Sequence, residues 1–542
     1  MRIRSPEGQQ KMSNDLVVSR RTVCAAGAAA LAAPTALAKA GARSVERWGL
    51  AELAFAGPAN GNPYVDVQFT ALFQNGRDSI QVPGFYDGGG IYKIRFCPPA
   101  QGTWQYVTAS NATALNGKSG NIAVTEPGKR NHGLVRVANR YHFAYDDGTP
   151  YKEFGTTSYQ WLYQPDETRR RTLRTLAAAP FNKIRFTIFP NKVLPYEPPY
   201  PFIGSPGAFD LARFNPDFFK RVDDAVAHLC ELGIEADIIL FHPYDYDYWG
   251  FDKMPDEADH RYLRYVVARY SAYRNVWWSM ANEFDRMKYK KETDFDCFFQ
   301  IVQKEDPYGH LRSIHNCLQM YNNNHPWVTH SSIQNGVSLE DDERITMLRE
   351  IWRKPVVVDE AFYEGNFSQR WAQLSGEQMT ERFWWGAIAG VYVGHGEYIE
   401  HDGHQSWLGT GGELRGTSAP RIAFLRRILE SGPRNGIDPI DKWNDHHLAG
   451  KPGEYYLKYF GATPQSQWKF SLPVEWEKPE ASLKDGMRFK VEVIDTWAMT
   501  ISEVPETFEL VRKDIYEFVD RNAKAVSLPG RPWMALRITP AA

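Results

Sequence analysis

Strand-like and helix-like segments alternate along the middle of the chain, and no other feature of the sequence restricts its fold as strongly. Eight strand-like runs, separated mostly by amphipathic runs over about 300 residues, predict a (β/α)8 TIM barrel, an α/β fold. The doubly wound alternative requires a glycine-rich phosphate loop after its first strand, and FGTTSYQW at that place is not one. The predicted strands are residues 151–158, 182–190, 234–241, 276–280, 311–316, 327–332, 355–360 and 390–397.

Two regions on either side of this pattern lack helical periodicity. Residues 46–128 contain short alternating runs such as VDVQFTALF and TWQYVTAS, separated by glycine and proline clusters. Residues 436–542 contain similar runs, RFKVEVIDTW and WMALRITP. Short alternating strands with frequent turns are typical of β-sandwiches. We therefore expect an N-terminal sandwich, a barrel over residues 135–435 and a C-terminal sandwich.

The first 40 residues carry the pattern of an export signal. Residues 19–40, SRRTVCAAGAAALAAPTALAKA, combine the twin arginines Arg20 and Arg21 with an alanine-rich core and small residues at its end. This pattern predicts a signal peptide of the twin-arginine type over residues 1–40, and hence a periplasmic or secreted protein. The alternative, a membrane anchor, would need a longer apolar stretch.

Charge and cysteine spacing restrict the partners. The net charge is −2 and no basic stripe occurs, so nucleic-acid binding has no support. The cysteines beyond the signal lie far apart and form no CxxC pair, so no structural zinc site is expected. No cofactor is expected, and no membrane contact after cleavage of the signal.

Carboxylates stand where the barrel strands end, which is where such barrels build their active sites. Asn282 and Glu283 follow the fourth predicted strand, and Glu360 ends the seventh. Strands three apart on an eight-strand ring face each other, so two carboxyl groups would meet across the mouth, as glycoside hydrolysis requires. Further candidates for binding a carbohydrate are Tyr159, Trp161, Arg185, His242, His315, His330, Tyr363 and Glu397.

With these residues the barrel resembles clan A of the glycoside hydrolases. The resemblance implies that the Asn282-Glu283 pair supplies the acid/base and that Glu360 is the nucleophile, with Arg185 beside it on strand two. The order of sandwich, barrel and small sandwich resembles bacterial exo-acting glycosidases related to apiosidases and arabinosidases. The sequence departs from the clan at strand six, where His330 stands at the place of a frequent tyrosine.

The chemistry of these roles sets requirements on the surroundings. Glu283 must be protonated, and we expect a wall formed by Trp277 or Trp278, together with the second carboxylate, to raise its pKa. Glu360 must stay ionised, which Arg185 would favour by its charge and its hydrogen bonds.

Several residues have a second interpretation. Asp359 could replace Glu360, but strand alternation predicts that its side chain points to the opposite face. Asn282 is suited to bind the sugar 2-hydroxyl. Trp161 and Tyr363 are either stacking platforms for a sugar or packing residues.

Three functions remain to be compared. The first is a retaining exo-glycosidase. Retention requires the two carboxyl groups at about 5–5.5 Å, and two long glutamate side chains favour that gap. The insertion at residues 194–209 and the loop at 401–415 would close one end of the cleft and give exo action.

The second possible function is a metal-dependent hydrolase that uses His242, His315 and His330, although no HxH ends the first strand. The third is a non-catalytic carbohydrate-binding barrel, which the two carboxylates disfavour.

Overall fold

The computed structural model describes residues 43–192, 198–339, 342–400, 406–442, 444–474 and 483–541. The predicted signal peptide lies outside these residues, as do residues 194–197 and 401–405 of the two predicted cleft walls. No helix within the described ranges is long and apolar enough to cross a membrane.

Eight parallel strands form the central sheet, and the predicted TIM barrel is confirmed. Each strand hydrogen-bonds to its neighbours in the ring, and a parallel bridge between His315 and Ser332 joins the fifth and sixth strands. In chain order the strands are Gly155–Thr157, Lys183–Thr187, Glu235–Phe241, Val276–Ala281, Arg312–Ser313, Ser331–Gln334, Val356–Glu360 and Tyr392–His395.

Amphipathic helices surround this sheet, and their ends follow local sequence signals. The helix Pro216–Leu232 is capped by Asn215, whose side chain accepts the first free N–H groups, and it ends at Gly233 with φ 73°. Its buried stripe of Phe218, Val222, Val226 and Leu229 packs on the barrel. The outer helices are Asp166–Ala178, Pro216–Leu232, Asp256–Tyr270, Glu292–Glu305, Asp342–Trp352, Gly376–Ile388 and Ser418–Glu430, and the short helix Trp407–Thr410 follows the eighth strand.

The N-terminal region folds into β-structure with one short helix, Pro63–Asp66. Its strand Asp78–Tyr86 pairs through its first part with Phe69–Asn75 and through its last residues with Ile91–Phe96, so it joins the two halves of the sheet. A core that includes Phe73, Ile94 and Trp104 fills the interior. The strands are Arg43–Glu46, Ala51–Ala56, Phe69–Asn75, Asp78–Tyr86, Ile91–Phe96, Gly102–Ser110 and Ser119–Thr125.

A buried ion cluster connects this region to the barrel. Asp223, on the helix Pro216–Leu232, accepts two hydrogen bonds from Arg95 of the N-terminal sheet, at 2.9 and 2.7 Å. It accepts two more from Arg269 of the helix Asp256–Tyr270, at 2.8 and 2.6 Å. Both guanidinium groups are almost fully buried. Arg95 also pairs with Glu52 and Arg269 with Asp87, each at 2.8 Å, so Asp223 is the carboxylate that the two arginines share.

A small antiparallel sheet lies at the amino end of the barrel. Its strands are Val135–Ala138, His142–Tyr145 and Pro150–Tyr151. Phe143 and Tyr151 from this sheet pack with Trp277 and Val357 from the barrel strands. This packing closes the barrel at the end opposite the carboxyl ends of its strands.

The C-terminal region is again β-structure. Nine strands form one sheet, and a two-stranded ribbon accompanies it. A separate core that includes Tyr456, Phe489 and Leu536 supports it. The strands are Asp438–Asp441, Asp445–Lys451, Tyr455–Tyr459, Gln467–Lys469, Ser471–Pro473, Arg488–Asp495, Thr500–Glu503, Phe508–Arg512, Glu517–Asp520, Ala525–Ser527 and Met534–Pro540.

Candidate active site

Glu283 and Glu360 both lie at the mouth of the barrel. Glu283 comes two residues after the fourth strand, and Glu360 is the last residue of the seventh. Each is 6% exposed. Glu283 has a φ of 47°, in the left-handed region that non-glycine residues rarely occupy. Such strain persists where the surrounding structure enforces it, and it is concentrated at functional sites.

The direction predicted for Asp359 is wrong. Its side chain points into the barrel, where it accepts hydrogen bonds from Lys183 Nζ at 2.8 Å and Ser332 Oγ at 2.5 Å. The pairing register between the sixth and seventh strands shifts beside Glu360, so strict alternation fails there. Burial alone would raise the pKa of Asp359, but the charges of Lys183 and Arg185 outweigh it and hold this pKa well below its usual value. Asp359 therefore belongs to an ion cluster beneath the site.

A hydrogen-bond donor and a positive charge lie beside the carboxylate of Glu360. The Tyr159 hydroxyl donates a hydrogen bond to Glu360 Oε1. Arg185 Nη1 lies 4.0 Å and His315 Nε2 3.9 Å from the same oxygen. Burial lowers the pKa of His315 to about 4, so this ring is neutral at neutral pH and the positive charge beside Glu360 comes from Arg185.

The surroundings of Glu283 favour its protonated form. Burial first, and the negative charge of Glu360 second, raise the pKa of Glu283 to about 7. Arg286 Nη1, at 3.4 Å from Glu283 Oε2, opposes this rise from a half-exposed position. The Gln334 amide, oriented with its nitrogen towards the carboxylate, donates to Glu283 Oε1 at 3.1 Å. The thiol of Cys317 also lies beside this carboxylate, and burial raises its pKa to about 12, so it stays protonated.

The predicted tryptophan wall around Glu283 is wrong. Trp277 lies at the amino end of the barrel and donates its indole N–H to Glu235 at 2.9 Å. Trp278 points outwards, where its indole N–H donates to Asp306 at 3.2 Å. Both side chains start too early on the fourth strand to reach its carboxyl end.

Asn282 links the two halves of the site. Its Oδ1 accepts a hydrogen bond from Arg185 Nη2 at 3.0 Å, and its Nδ2 donates to the hydroxyl of Tyr244 at 2.6 Å. An amide nitrogen carries two hydrogens, so one remains for a sugar hydroxyl. The Tyr244 ring lies 6.2 Å from that of Tyr159, so the two tyrosines connect Asn282 with Glu360 along the mouth of the barrel.

The comparisons with known proteins agree with a site built on two glutamates at the strand ends. Residues 137–407 match the family model described as the apiosidase-like catalytic domain. A Bacteroides vulgatus crystal structure, assigned provisionally to the glycoside hydrolases, is 40% identical, with a TM-score of 0.89, and the match covers 92% of this chain and 100% of that one. The chain belongs to the apiosidase-like family of glycoside hydrolases.

Other comparisons are consistent with this assignment. Residues 44–111 and 443–539 match two domains of unknown function, DUF5060 and DUF5605. A family 5 glycoside hydrolase from Bacteroides vulgatus has the same fold at 13% identity, with a TM-score of 0.56, over 75% of this chain and 94% of that one. No curated protein matches the chain significantly.

In this apiosidase-like hydrolase the three candidate histidines are not equivalent. His330 precedes the sixth strand, instead of ending it as predicted, and contacts the rings of Phe143 and Trp277 at the opposite end of the barrel. The ring nitrogens of His242 face the carbonyl of Phe189 at 3.0 Å and the N–H of Tyr244 at 3.1 Å. Only His315 lies beside a catalytic candidate. The three histidines therefore do not form the shared ligand set that a metal-dependent hydrolase needs.

One group of described residues has the spacing of a metal site. The possible ligand atoms of Glu364, His395 and Glu397 lie within 4.8 Å of one another. The two carboxylates, however, already accept six hydrogen bonds from backbone N–H groups and hydroxyls of residues 415–418. Glu397 therefore anchors this segment, and both of its carboxylate oxygens already accept backbone N–H groups.

The two aromatic candidates differ in position. Trp161 is fully buried and packs edge-on against Phe186, 5.8 Å away, so the packing interpretation fits it. Tyr363 is 4% exposed, and burial and the charge of Glu360 raise its pKa far above the usual value. Its hydroxyl end therefore lies close to the nucleophile candidate.

Four residues of the site are absent from the prediction: Tyr244, Arg286, Cys317 and Gln334. Three of them lie in loops that follow strands three, four and five. Tyr244 and Arg286 could have been suggested by their closeness in sequence to predicted strand ends. Gln334 became recognisable only once the sixth strand was known to end there.

Proposed function

We propose that this apiosidase-like hydrolase is a retaining, exo-acting glycosidase that removes terminal sugars from polysaccharides or oligosaccharides. The observation that carries the proposal is the different environment of its two glutamates. Glu283 has a pKa of about 7 and can hold a proton, whereas Glu360 accepts a hydrogen bond from Tyr159 and faces Arg185. When one carboxyl group can hold a proton and the other is bound as a carboxylate, the first can act as the acid and the second as the nucleophile.

In the first step Glu360 attacks the anomeric carbon while Glu283 gives its proton to the departing oxygen. Arg185 and Tyr159 hold the attacking carboxylate in place. Asn282, fixed between Arg185 and Tyr244, directs its free amide hydrogen at the sugar 2-hydroxyl. That contact strengthens as charge develops on the ring.

In the second step Glu283, now ionised, removes a proton from a water molecule that attacks the glycosyl-enzyme. Glu360 leaves the anomeric carbon and returns to its carboxylate form. A pKa near neutrality suits both duties, because the group must hold a proton in one step and accept it in the next. Two displacements at one carbon give net retention of configuration.

Exo action is supported by the anchoring of the two segments that the sequence predicts as cleft walls. The insertion continues as the hairpin Phe202–Ile203 with Asp210–Phe214, and its Tyr200 packs edge-on to Trp249 at a ring distance of 6.3 Å. Glu364 and Glu397 fasten residues 415–418 on another side. Anchored loops of this kind suit a pocket that accepts a chain end.

We also propose that the protein is exported and acts outside the cytoplasm, on the basis of Arg20 and Arg21.

The experiment is a panel of p-nitrophenyl glycosides, furanosides included, followed by variants on the best substrate. We expect Glu360→Gln to be inactive on every substrate. Glu283→Gln should lose about 10²–10⁴-fold with a poor leaving group. The same variant should retain most of its activity with a dinitrophenyl leaving group, which departs without a proton. Glu257→Gln, which replaces an exposed glutamate, is the matched control. Loss of all activity in EDTA, or full activity of Glu360→Gln, would contradict the proposal.

A further inference from the structure

The leaving group of a glycosidase lies on the side of its acid, because the acid must reach the departing oxygen. In this chain that side is formed by the loops after strands three, four and five. Among the large side chains that extend from them into solvent, Tyr246 is 56% exposed, Leu318 is 88% exposed and the Arg286 side chain is 51% exposed. We call these three residues the outer rim.

Tyr246 is held in a fixed and strained position. Its φ is 51° and that of Asp247 is 63°, both in the left-handed region. The buried carboxylate of Asp245 fastens the loop by accepting the N–H groups of residues 249, 251 and 252 at 2.6, 2.5 and 3.3 Å. The ring of Tyr246 lies 6.4 Å from that of Tyr244, which is bonded to Asn282. The exposed ring therefore continues the aromatic surface of the site outwards.

Leu318 is fixed in a similar way. Asp285, two residues after Glu283, accepts the N–H groups of residues 317, 318 and 319 at 2.6, 2.7 and 2.8 Å. This anchoring directs an almost fully exposed leucine next to the acid. Leu318 follows Cys317, which lies beside Glu283, and Tyr246 is also close enough to feel the charge of Glu283. Loops that a rigid scaffold positions at the mouth of a barrel are where binding residues are concentrated.

We propose that the outer rim binds a sugar residue of the leaving group, with the apolar face of that sugar on Tyr246 and Leu318 and its hydroxyls towards Arg286. The proposal rests on the proposed function, since it takes Glu283 as the acid. It defines the substrate class further: the leaving group is a glycan, not a small alcohol or an aryl group. A rim that is ordered before binding loses little entropy when it engages the sugar.

The test separates binding of the glycan from chemistry. Glu360→Gln enzyme is run through native gels that contain soluble arabinoxylan, xyloglucan, galactomannan or arabinan, alone and combined with Tyr246→Ala or Leu318→Ala. We expect at least one polysaccharide to slow the migration of the Glu360→Gln enzyme, which is the parent for the double variants. Tyr246→Ala should weaken that binding about tenfold, the usual effect of losing a central aromatic contact. Tyr516→Ala, which removes a tyrosine 51% exposed just before the C-terminal strand Glu517–Asp520, is the control and should bind as the parent does.

Activity on a p-nitrophenyl glycoside completes the test. Its leaving group carries no sugar, so Tyr246→Ala should lose less kcat/KM on it than on an oligosaccharide of the polysaccharide that retards the parent. Equal retardation of the parent and Tyr246→Ala, or no retardation of the parent by any of the four polysaccharides, would overturn the proposal. These results can be told apart from failure of the proposed function, which would appear as residual turnover in Glu360→Gln itself.

Discussion

Arg286 should set the upper limit of the pH range in which the enzyme works. Its guanidinium lies 3.4 Å from Glu283 and favours the ionised carboxylate, so it holds the pKa of Glu283 below the value that burial and Glu360 would otherwise give. Arg286→Met removes this positive charge and keeps most of the side-chain volume. Glu283 should then hold its proton to higher pH, and the alkaline limb of kcat/KM should move upwards.

The size of the shift follows from the geometry. Because the Arg286 side chain is 51% exposed, the dielectric constant of water is the appropriate one. Coulomb's law at this separation then gives about 1.2 kcal/mol, or about 0.9 pKa unit. The apparent pKa should therefore rise from about 7 towards about 8. In 1 M salt the Debye length is about 3 Å, so the shift should fall to about a third.

The assay is a pH profile of kcat/KM on a p-nitrophenyl glycoside, at low and high salt. Lys288→Met is the matched control, because Lys288 lies two residues further on and pairs with Asp247 at 3.3 Å instead of with Glu283. Its alkaline limb should stay near that of the wild type. An unchanged or lowered limb in Arg286→Met would refute the assignment of Glu283 as the group whose protonation limits the rate.

Further predictions concern stability, the nucleophile and export. Asp223→Ala removes the carboxylate that two buried arginines share and leaves each with one other partner, Glu52 or Asp87, so it should cost about 3 kcal/mol in thermal unfolding. Asp224→Ala, at the exposed neighbouring position, should change the stability little. Tyr159→Phe removes a charge-assisted hydrogen bond to Glu360 and should lower kcat about tenfold or more with the fold intact; wild-type kcat would contradict this. Replacing the twin arginines of residues 20–21 by lysines should leave the protein uncleaved in the cytoplasm, as cell fractionation would show.

The sequence was sufficient to predict the barrel because long alternating patterns average over local errors. It was also sufficient to place Glu283 and Glu360, since each directly follows or ends a strong apolar run. Where a strand does not end in a strong apolar run, its end could be located less precisely from the sequence. The sixth strand begins at Ser331, later than the apolar run around residues 327–332 suggested, and this offset moved His330 from the predicted mouth to the other end of the barrel.

Features that depend on pairing between distant segments could not be read from the sequence. The register shift that turns both Asp359 and Glu360 towards the interior is a property of two strands together. The contact of Gln334 with Glu283 joins strands four and six. Glu397 had the expected residue type at a strand end, yet its carboxylate is occupied by a loop that returns to it from residues 415 and 416. No local pattern signals such a partner.

Double displacement through Glu283 and Glu360 is the central claim, and the configuration of the first product tests it most directly. Hydrolysis of the best glycoside of the panel is followed by proton NMR from the first minutes, before the free sugar mutarotates. We predict that the anomer formed first has the configuration of the substrate, as a glycosyl-enzyme on Glu360 requires. First appearance of the inverted anomer would mean that water attacks directly, and it would contradict the assignment of Glu360 as the nucleophile.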